Sequence, residues 1–322
     1  MREISGKNVL VTGGAGFIGS HLVDNLLKEN VKSVTAIDNL FLGNKSNLTE
    51  AFRNNKFKLY IDDAENLQIL EYIMETHNID IVFNCATKAL NYSFLNPINS
   101  FKTNVDVILN LLEMQRKEKF KTLCHFSTSE VYGTAIYEPM DENHPKNPLT
   151  AYAGGKAAAD LALESYVRMF NLDSFIVRPF NNYGPRQNHL GYMAGVIPIT
   201  IWRIMKGYSP EIHGSGKQSR DFIYVEDTVK SVLKVFNFLS PGQSINVSTD
   251  NQIQIGELIN LISEKMGYKG KILTKERRGS DVDAHLACNK KIKSLIDYSL
   301  VSFDEGLNMT IDWYKKQSLK DF

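Results

Sequence analysis

The sequence predicts an α/β protein with a doubly wound parallel sheet and a smaller mixed α/β lobe in its C-terminal part. The first observation is a β-branched run at 8–12 that enters a glycine-rich turn and then a helix at 17–29 with apolar groups at helical spacing. The second is that apolar runs and helical patterns keep alternating up to residue 180. The third is that this pattern loosens afterwards, in a stretch rich in Asn, Gly, Pro and Tyr.

The predicted strands are apolar on both faces, which is typical of a parallel sheet covered by helices on both sides, as in the Rossmann fold. We expect a Rossmann domain at 1–178, joined by segments that return to it at about 215–250, and a second lobe at 179–322. The strands are expected at 8–12, 34–38, 58–61, 79–86, 122–128 and 174–180, and the helices around 17–29, 45–54, 66–77, 99–117, 152–170, 255–266 and 303–316.

The composition excludes several classes of protein. Lysine and arginine (37) almost balance aspartate and glutamate (36), so the overall charge offers no general attraction for nucleic acid or anionic lipid. The three cysteines are too scattered for a disulfide framework or a cysteine-based metal site. We find no leader pattern and no apolar run long enough to span a membrane. We therefore expect a soluble cytoplasmic protein that binds no metal, nucleic acid or membrane.

The string TGGAGFIG follows a predicted strand and opens a predicted helix, as the dinucleotide-binding fingerprint requires. Gly13 permits the tight turn, Gly16 lets the backbone approach a pyrophosphate, and Gly19 allows close packing of helix on strand. Asp38 ends the second strand, where its carboxylate can accept hydrogen bonds from both ribose hydroxyls. A 2′-phosphate would be repelled there, so the sequence favours NAD over NADP.

Tyr152 and Lys156 are four residues apart at the start of a predicted helix, so both side chains project from one face. A tyrosine with its ordinary pKa is a poor base at neutral pH, but a nearby ammonium and the charged nicotinamide both favour the phenolate. Tyr152 can then take a proton from a substrate hydroxyl while hydride leaves the same carbon for NAD.

Five motifs occur together: TGGAGFIG with Asp38, FSTSEVYG at 126–133, YAGGK at 152–156, RPFNNYGPRQ at 178–187 and RDFIYVEDT at 220–228. In this order they resemble the extended short-chain dehydrogenase/reductases that modify nucleotide sugars, and the likeness runs from about residue 6 to residue 316. The resemblance implies a nucleotide-diphosphate sugar as substrate. It also implies a homodimer formed by the helices near 99–117 and 153–170.

The resemblance also implies roles for single residues. Thr128 or Ser127 would hydrogen-bond the reacting hydroxyl, and Lys156 would also hold the nicotinamide ribose. Asp62 could bind the adenine amino group or only cap the chain beside Asp63. The further residues expected at the cofactor are Phe17, Ile18, Asn39, Ala86, Lys88 and Asn104. Those expected at the substrate are Asn181, Arg186, Val196, Arg220 and Arg278.

Glu130 is the candidate base for a second step, because a ketone at C4 of a hexose acidifies the proton on C5. The string Thr128-Ser129-Glu130 resembles GDP-sugar 4,6-dehydratases and also the decarboxylases that make nucleotide pentoses, whereas dehydratases of thymidine-linked glucose carry Asp in place of Ser129. The string VYGTA with the downstream PMDENHP looks closer to the dehydratases. We therefore favour a 4,6-dehydratase. A decarboxylase of the UDP-glucuronate type and a 4-epimerase are the alternatives, and if Glu130 is idle the epimerase leads. A non-catalytic NAD-binding sensor is the alternative of a different class.

Overall fold

A parallel sheet runs through the centre of the protein. The computed structural model describes residues 2–277 and 282–317. In this part of the chain the strands are β1 (Asn8–Thr12), β2 (Ser33–Ile37), β3 (Phe57–Tyr60), β4 (Ile81–Asn84), β5 (Thr122–Phe126), β6 (Asp173–Pro179), β7 (Asn181–Tyr183), β8 (Glu211–His213), β9 (Ser219–Arg220), β10 (Phe222–Tyr224), β11 (Ser244–Val247), β12 (Ile253–Gln254) and β13 (Leu273–Lys275). The helices there are α1 (Phe17–Lys28), α2 (Leu67–His77), α3 (Pro97–Arg116), α4 (Ala151–Phe170), α5 (Val196–Met205), α6 (Val225–Val235), α7 (Ile255–Lys265), α8 (Lys290–Leu295) and α9 (Phe303–Lys316).

The central sheet has seven strands among the described residues, in the order β11-β6-β5-β4-β1-β2-β3. All its neighbouring strands are parallel. Helices α1 and α6 contribute to the core on one face, and α2, α3 and α4 to the core on the other. The predicted doubly wound parallel sheet is therefore confirmed. Because the strand order reverses between β1 and β4, a crevice opens at their carboxyl ends.

The helix predicted around 45–54 is wrong. The chain forms two short 3-10 turns there, Lys45–Leu48 and Ala51–Arg53, each with one buried residue. The side chain of Asn44 accepts a hydrogen bond from the N–H of Ser46, and such local bonds compete with a continuous α-helix. The alternation of strand and helix patterns in the sequence cannot distinguish two 3-10 turns from one α-helix, because both occupy the same length of chain.

The C-terminal part divides its elements between two cores. Strand β11 pairs with β6 at the edge of the central sheet, and α6 and α8 pack into the core beside β1. Helices α5, α7 and α9 form a second, smaller core together with β7 and β10. The boundary expected between residues 178 and 179 stays a prediction. This arrangement brings the segments after β6 over the carboxyl end of the sheet, where they help to line a cavity.

Candidate active site

Two adjoining cavities open where the central strands end. The first, of about 400 Å³, is lined by the glycine-rich turn, the residues that follow β2, β4 and β5, and the start of α4. The second, of about 900 Å³, is lined by the residues that follow β5 and β6, by α5 and by the short strands β8 to β10. Ser127 and Tyr152 line both cavities. The two spaces therefore meet at the predicted catalytic tyrosine.

The glycine-rich turn has the geometry that its sequence predicts. Gly13 has a φ of +67°, and a Cβ there would lie 2.9 Å from the Cα of Ala86. A Cβ on Gly19 would lie 2.1 Å from the carbonyl oxygen of Gly13, so only glycine lets the helix pack this closely. Helix α1 begins after Gly16 with no side-chain cap and no acidic residue in its first turn. Its first N–H groups are thus suited to an anion such as a pyrophosphate.

Asp38 holds a carboxylate at the other end of the first cavity. Its Oδ2 accepts a hydrogen bond from the N–H of Ala15 at 2.9 Å, and its Oδ1 accepts one from the N–H of Leu40 at 2.8 Å. Burial raises the pKa of Asp38, while these backbone bonds and the charge of Lys88 oppose the rise. The ammonium of Lys88 lies 4.5 Å from the centre of the Phe41 ring. The carboxylate is therefore fixed in place, which suits the two hydroxyls of a ribose.

Most of the other residues predicted at the cofactor line the first cavity. They are Phe17, Ile18, Asn39, Ala86 and Lys88. Asp62 lies outside this lining: its Oδ1 accepts a hydrogen bond from the N–H of Asp63, which lines the cavity instead. Asn104 is buried behind the wall, where its Oδ1 accepts a hydrogen bond from the hydroxyl of Thr87 at 2.7 Å. Asn104 thus supports a lining residue without lining the cavity itself.

Tyr152 lies in the first turn of α4, with its hydroxyl hydrogen-bonded to the side chains of Thr128 and Thr87. Burial raises the pKa of Tyr152 to about 12, more than these two bonds lower it. Lys156 donates from Nζ to the carbonyl oxygen of Phe126 at 2.8 Å, and burial lowers its pKa to about 8. The expectation that the ammonium and the charged nicotinamide together favour the phenolate stays a prediction; within the protein alone, burial of the phenol dominates.

Glu130 lies on a 3-10 turn, Ser129–Tyr132, that follows β5. The hydroxyl of Thr128 caps this turn by accepting a hydrogen bond from the N–H of Glu130 at 3.2 Å. All three residues of the Thr-Ser-Glu string line the second cavity together with Tyr152. The charge of Glu130 contributes to the raised pKa of Tyr152, so the carboxylate and the phenol act on each other across this cavity.

The residues predicted at the substrate divide between the two cavities. Asn181, Val196 and Arg220 line the second cavity. Arg186 lines the first cavity, and its guanidinium lies 2.7 Å from the carboxylate of Asp24 on α1. Arg278 lies outside the residues that the structure describes. Arg220 is thus placed with the substrate residues, while Arg186 lies nearer to the cofactor residues.

Sequence reasoning missed two residues that the fold brings to the site. Thr87 hydrogen-bonds the hydroxyl of Tyr152 and follows β4, and the carboxyl end of a parallel strand is a signal that could have found it. His285 lies with its Nδ1 at 4.0 Å from Oε1 of Glu130. No local pattern around His285 points to this contact, because the two residues are far apart in the chain.

The described part of the chain offers neither a metal-binding cluster nor a membrane-spanning helix. In residues 2–277 and 282–317, no group of three or more His, Cys, Asp or Glu side chains is arranged to hold a metal ion. Within the same ranges, none of the helices has the length and apolar character needed to cross a bilayer.

Known proteins resemble this chain over nearly its whole length. A model of the NAD dependent epimerase/dehydratase family matches residues 9–248. The chain belongs to this family. Its cofactor is NAD, and the turn at Gly13, the free N–H groups of α1 and the carboxylate of Asp38 fit that group.

Relatives with three different activities are similar to the chain. The UDP-glucose 4-epimerase of Thermotoga maritima, solved with UDP-glucose, is 32% identical with a TM-score of 0.90, and the match covers 96% of this chain and 99% of that one. The human dTDP-D-glucose 4,6-dehydratase is 32% identical, over 96% of this chain and 90% of the relative. The UDP-glucuronic acid decarboxylase 1 of Xenopus tropicalis is 30% identical, over 98% and 74%.

Proposed function

We propose that this protein is a nucleotide-sugar 4,6-dehydratase, a lyase that oxidises a hexose at C4 and then removes water across C5 and C6. The observation that carries the proposal is the carboxylate of Glu130, which lines the larger cavity beside Tyr152. A C4 ketone acidifies the proton on C5, and a carboxylate at this place can remove that proton. Inversion at C4 alone needs no such base.

The substrate class rests on the second cavity and on the relatives. A volume of about 900 Å³ can hold a ligand of the size of a nucleotide sugar. Arg220 lines this cavity, and the planar fork of a guanidinium suits paired phosphate oxygens. The named relatives act on sugars linked to UDP or dTDP. We infer a hexose carried by a nucleoside diphosphate.

The first step belongs to Tyr152 and its neighbours. Tyr152 takes the proton of the C4 hydroxyl, and Thr128, already hydrogen-bonded to Tyr152, holds that hydroxyl in line. NAD, held by the turn at Gly13, by α1 and by Asp38, would supply an acceptor for the hydride of C4 and a donor of that hydride to C6, and its positively charged ring would favour the phenolate. Lys156, one helical turn after Tyr152, keeps a positive charge at neutral pH, since its pKa of about 8 leaves most of the ammonium protonated.

The second step belongs to Glu130. Its carboxylate removes the C5 proton, and the electron pair of the broken C–H bond moves towards the C4 ketone. The proton then passes to the C6 hydroxyl, which departs as water and leaves a C5–C6 double bond; hydride then adds to C6 and a proton from solvent adds to C5. Dehydratases of thymidine-linked glucose carry an Asp at the position of Ser129. Because the buried Ser129 has no carboxyl group to protonate the C6 hydroxyl, Glu130 performs both proton transfers.

A 4-epimerase is the second candidate, because the epimerase from Thermotoga maritima has the same fold with a TM-score of 0.90 and 32% identity. In that reaction the ketone turns over in the cavity and receives hydride on its other face. A decarboxylase is supported by relatives from Xenopus tropicalis and Danio rerio at 30% and 29% identity. Both alternatives keep the roles of Tyr152 and NAD and differ in the fate of C5 and C6.

Product analysis in heavy water separates these reactions. The protein is incubated with NAD and with UDP-, dTDP-, GDP- and CDP-hexoses, and the sugars are analysed by mass spectrometry. We expect one hexose to lose water and to gain deuterium at C5. A sugar of unchanged mass with inverted C4 would favour the epimerase, and loss of carbon dioxide from a uronate would favour the decarboxylase. Binding of NAD with no conversion of any sugar would favour the sensor.

A variant then tests Glu130 itself. Glu130→Gln should retain reduction of bound NAD by the substrate but lose exchange of the C5 proton, because only the second step needs the carboxylate. Glu50→Gln is the control, since Glu50 is exposed and pairs with Arg53 on the surface. Unchanged exchange in Glu130→Gln would remove this residue from the mechanism.

We also propose a homodimer formed by α3 and α4. These helices pack against each other and carry apolar side chains on their outer surface. The exposed side chains are Ile98, Phe101, Leu161, Met169 and Phe170. Apolar surface of this extent is typical of protein interfaces. Sedimentation should show a dimer in the native protein and monomers in a Leu161→Glu, Met169→Glu variant; an unchanged mass in that variant would exclude this surface.

A further inference from the structure

His285 reaches the site from a segment far along the chain. The segment 282–289 lies along the loop that follows Glu130. The N–H of Met140 donates to the carbonyl oxygen of Leu286, and the N–H of Cys288 donates to the carbonyl oxygen of Met140, both at 2.8 Å. These bonds hold the ring of His285 in a fully buried position, with Nδ1 at 4.0 Å from Oε1 of Glu130.

The hydrogen bond of His285 fixes its tautomer. Its Nε2 lies 2.8 Å from the carbonyl oxygen of Gly133, the residue that ends the turn of Glu130. A carbonyl oxygen only accepts, so Nε2 carries the hydrogen. In the neutral ring Nδ1 then presents a lone pair. This atom is buried and has no hydrogen-bond partner among residues 2–277 and 282–317, and it faces the carboxylate of Glu130.

The charged and titratable groups around His285 leave the ring neutral. Burial lowers the pKa of His285; Glu130 opposes this, and Arg220 on β9 and His144 from the loop after Met140 lower it further. Phe180, at the end of β6, adds an apolar ring edge at 6.1 Å. At neutral pH the group that faces Glu130 is therefore an unused acceptor.

We propose that Nδ1 of His285 accepts a hydrogen bond from Glu130 as soon as Glu130 has taken up the C5 proton, which makes His285 a positioning residue for the second step. The inference rests on the proposed function of Glu130. A lone pair at this place can accept a hydrogen bond from the acid form of Glu130. His285 thus holds the newly protonated side chain in place until the C6 oxygen receives the proton.

The geometry allows this bond after a small movement. A separation of 4.0 Å exceeds a normal hydrogen bond by about 1 Å. The side chain of Glu130 is 16% exposed and lines the open cavity, so it has room to rotate, whereas His285 is held on both sides. No covalent bond changes at His285. The proton leaves C5, resides on Glu130 and departs with the C6 hydroxyl as water.

His285→Gln is the conservative variant, since glutamine can still donate from its amide nitrogen to the carbonyl oxygen of Gly133 and accept with its amide oxygen, and it should keep most of the exchange rate. His285→Leu removes the acceptor at the position of Nδ1. We expect reduction of bound NAD to change less than about twofold, while exchange of the C5 proton falls about tenfold, the loss expected for one hydrogen bond. His144→Gln is the matched control, since His144 lies in the same region and its ring hydrogen-bonds to the backbone of Ile136 and Pro145.

The outcomes distinguish this inference from the proposed function. Unchanged exchange in Glu130→Gln would overturn the role of Glu130 itself. Loss of exchange in Glu130→Gln, together with an unaltered exchange rate in His285→Leu, would overturn only the role of His285. If His285→Leu does not fold, nitrogen NMR of the imidazole in the native protein and in Glu130→Gln decides. The new amide should donate to Nδ1 and move its resonance; an unmoved resonance overturns the proposal.

Discussion

The two cavities of the active site are built in different ways. The cofactor cavity is formed by short segments that directly follow strands of the central sheet, such as the turn at Gly13 and the carboxylate of Asp38. The substrate cavity is formed by segments from distant parts of the chain, including Arg220 on β9 and Val282 after β13. Backbone geometry thus defines the first cavity, and long-range packing defines the second. Changes in the two should have different consequences.

The largest effect is expected from Gly19→Ala in the cofactor cavity. A Cβ at this position would lie 2.1 Å from the carbonyl oxygen of Gly13, which cannot move without opening the turn. We expect a loss of about 3 kcal/mol in the free energy of unfolding and at least about a hundredfold loss in NAD affinity. Chemical denaturation and NAD titration measure both. Native affinity in the variant would mean that the helix does not pack on the turn this closely.

Two arginines sharpen the comparison. Arg220 lines the substrate cavity, so Arg220→Ala should raise the KM for the sugar about 10- to 100-fold and leave NAD affinity unchanged. Arg186 lines the cofactor cavity and pairs with Asp24, so Arg186→Ala should weaken NAD binding by about tenfold instead. Steady-state kinetics and NAD titration of both variants provide the measurement. If Arg186→Ala changed only the KM for the sugar, Arg186 would be a substrate-binding residue, as the sequence analysis expects.

Lys156 lines the cofactor cavity, and its burial predicts a stability that depends on pH. Burial lowers its pKa to about 8, whereas in an unfolded chain it is about 10.4. Between these values the unfolded chain binds more protons, so the cost of burying Lys156 is complete below pH 8 and disappears as pH rises towards 10.4.

Lys156→Met should therefore raise the free energy of unfolding by about 1–3 kcal/mol at pH 7 and by much less near pH 10. Asp160 keeps Arg178 as its partner at 2.9 Å, so the substitution leaves no unpaired carboxylate. Denaturant titration at the two pH values checks the result. An equal gain at both would contradict the lowered pKa.

The smallest effects are expected from the two glycines between Tyr152 and Lys156. A Cβ on Gly154 makes only ordinary contact with the Phe101 ring at 3.4 Å, so Gly154→Ala should stabilise helix α4 by up to about 1 kcal/mol. A Cβ on Gly155 would lie 2.8 Å from the carbonyl oxygen of Phe101, and Gly155→Ala should cost about 1–2 kcal/mol. Thermal unfolding compares the pair, and equal effects would contradict the close crossing of α3 and α4.

The sequence predicted the cofactor cavity better than the substrate cavity for a physical reason. The glycine spacing and Asp38 act through local backbone geometry, which short motifs specify. Asp63 lines the cavity and Asp62 does not, although Asp62 was the residue expected at the adenine. Motif spacing cannot decide which of two adjacent side chains faces inward. The turns at 45–54 were missed because local side-chain bonds replaced a helix of similar length.

The properties that depend on burial could not be predicted from spacing. The raised pKa of Tyr152 results from desolvation of its half-buried phenol, which no four-residue spacing reveals. The contact between His285 and Glu130 depends on the bonds of the distant loop to Met140. Arg186 was predicted at the substrate from its place in the motif RPFNNYGPRQ. Its ion pair with Asp24 depends instead on how α1 packs beside the residues after β7.

The placement of β11 at the edge of the central sheet affects how the chain folds while it is being synthesised. Strand β6 has no outer neighbour until Ser244–Val247 has left the ribosome, roughly 65 residues later, which takes about 3–13 seconds at typical elongation rates. During this interval a nascent chain exposes an unpaired, apolar strand. Ribosome-bound chains that stall before residue 244 should therefore recruit chaperones, and those stalled well after it should not.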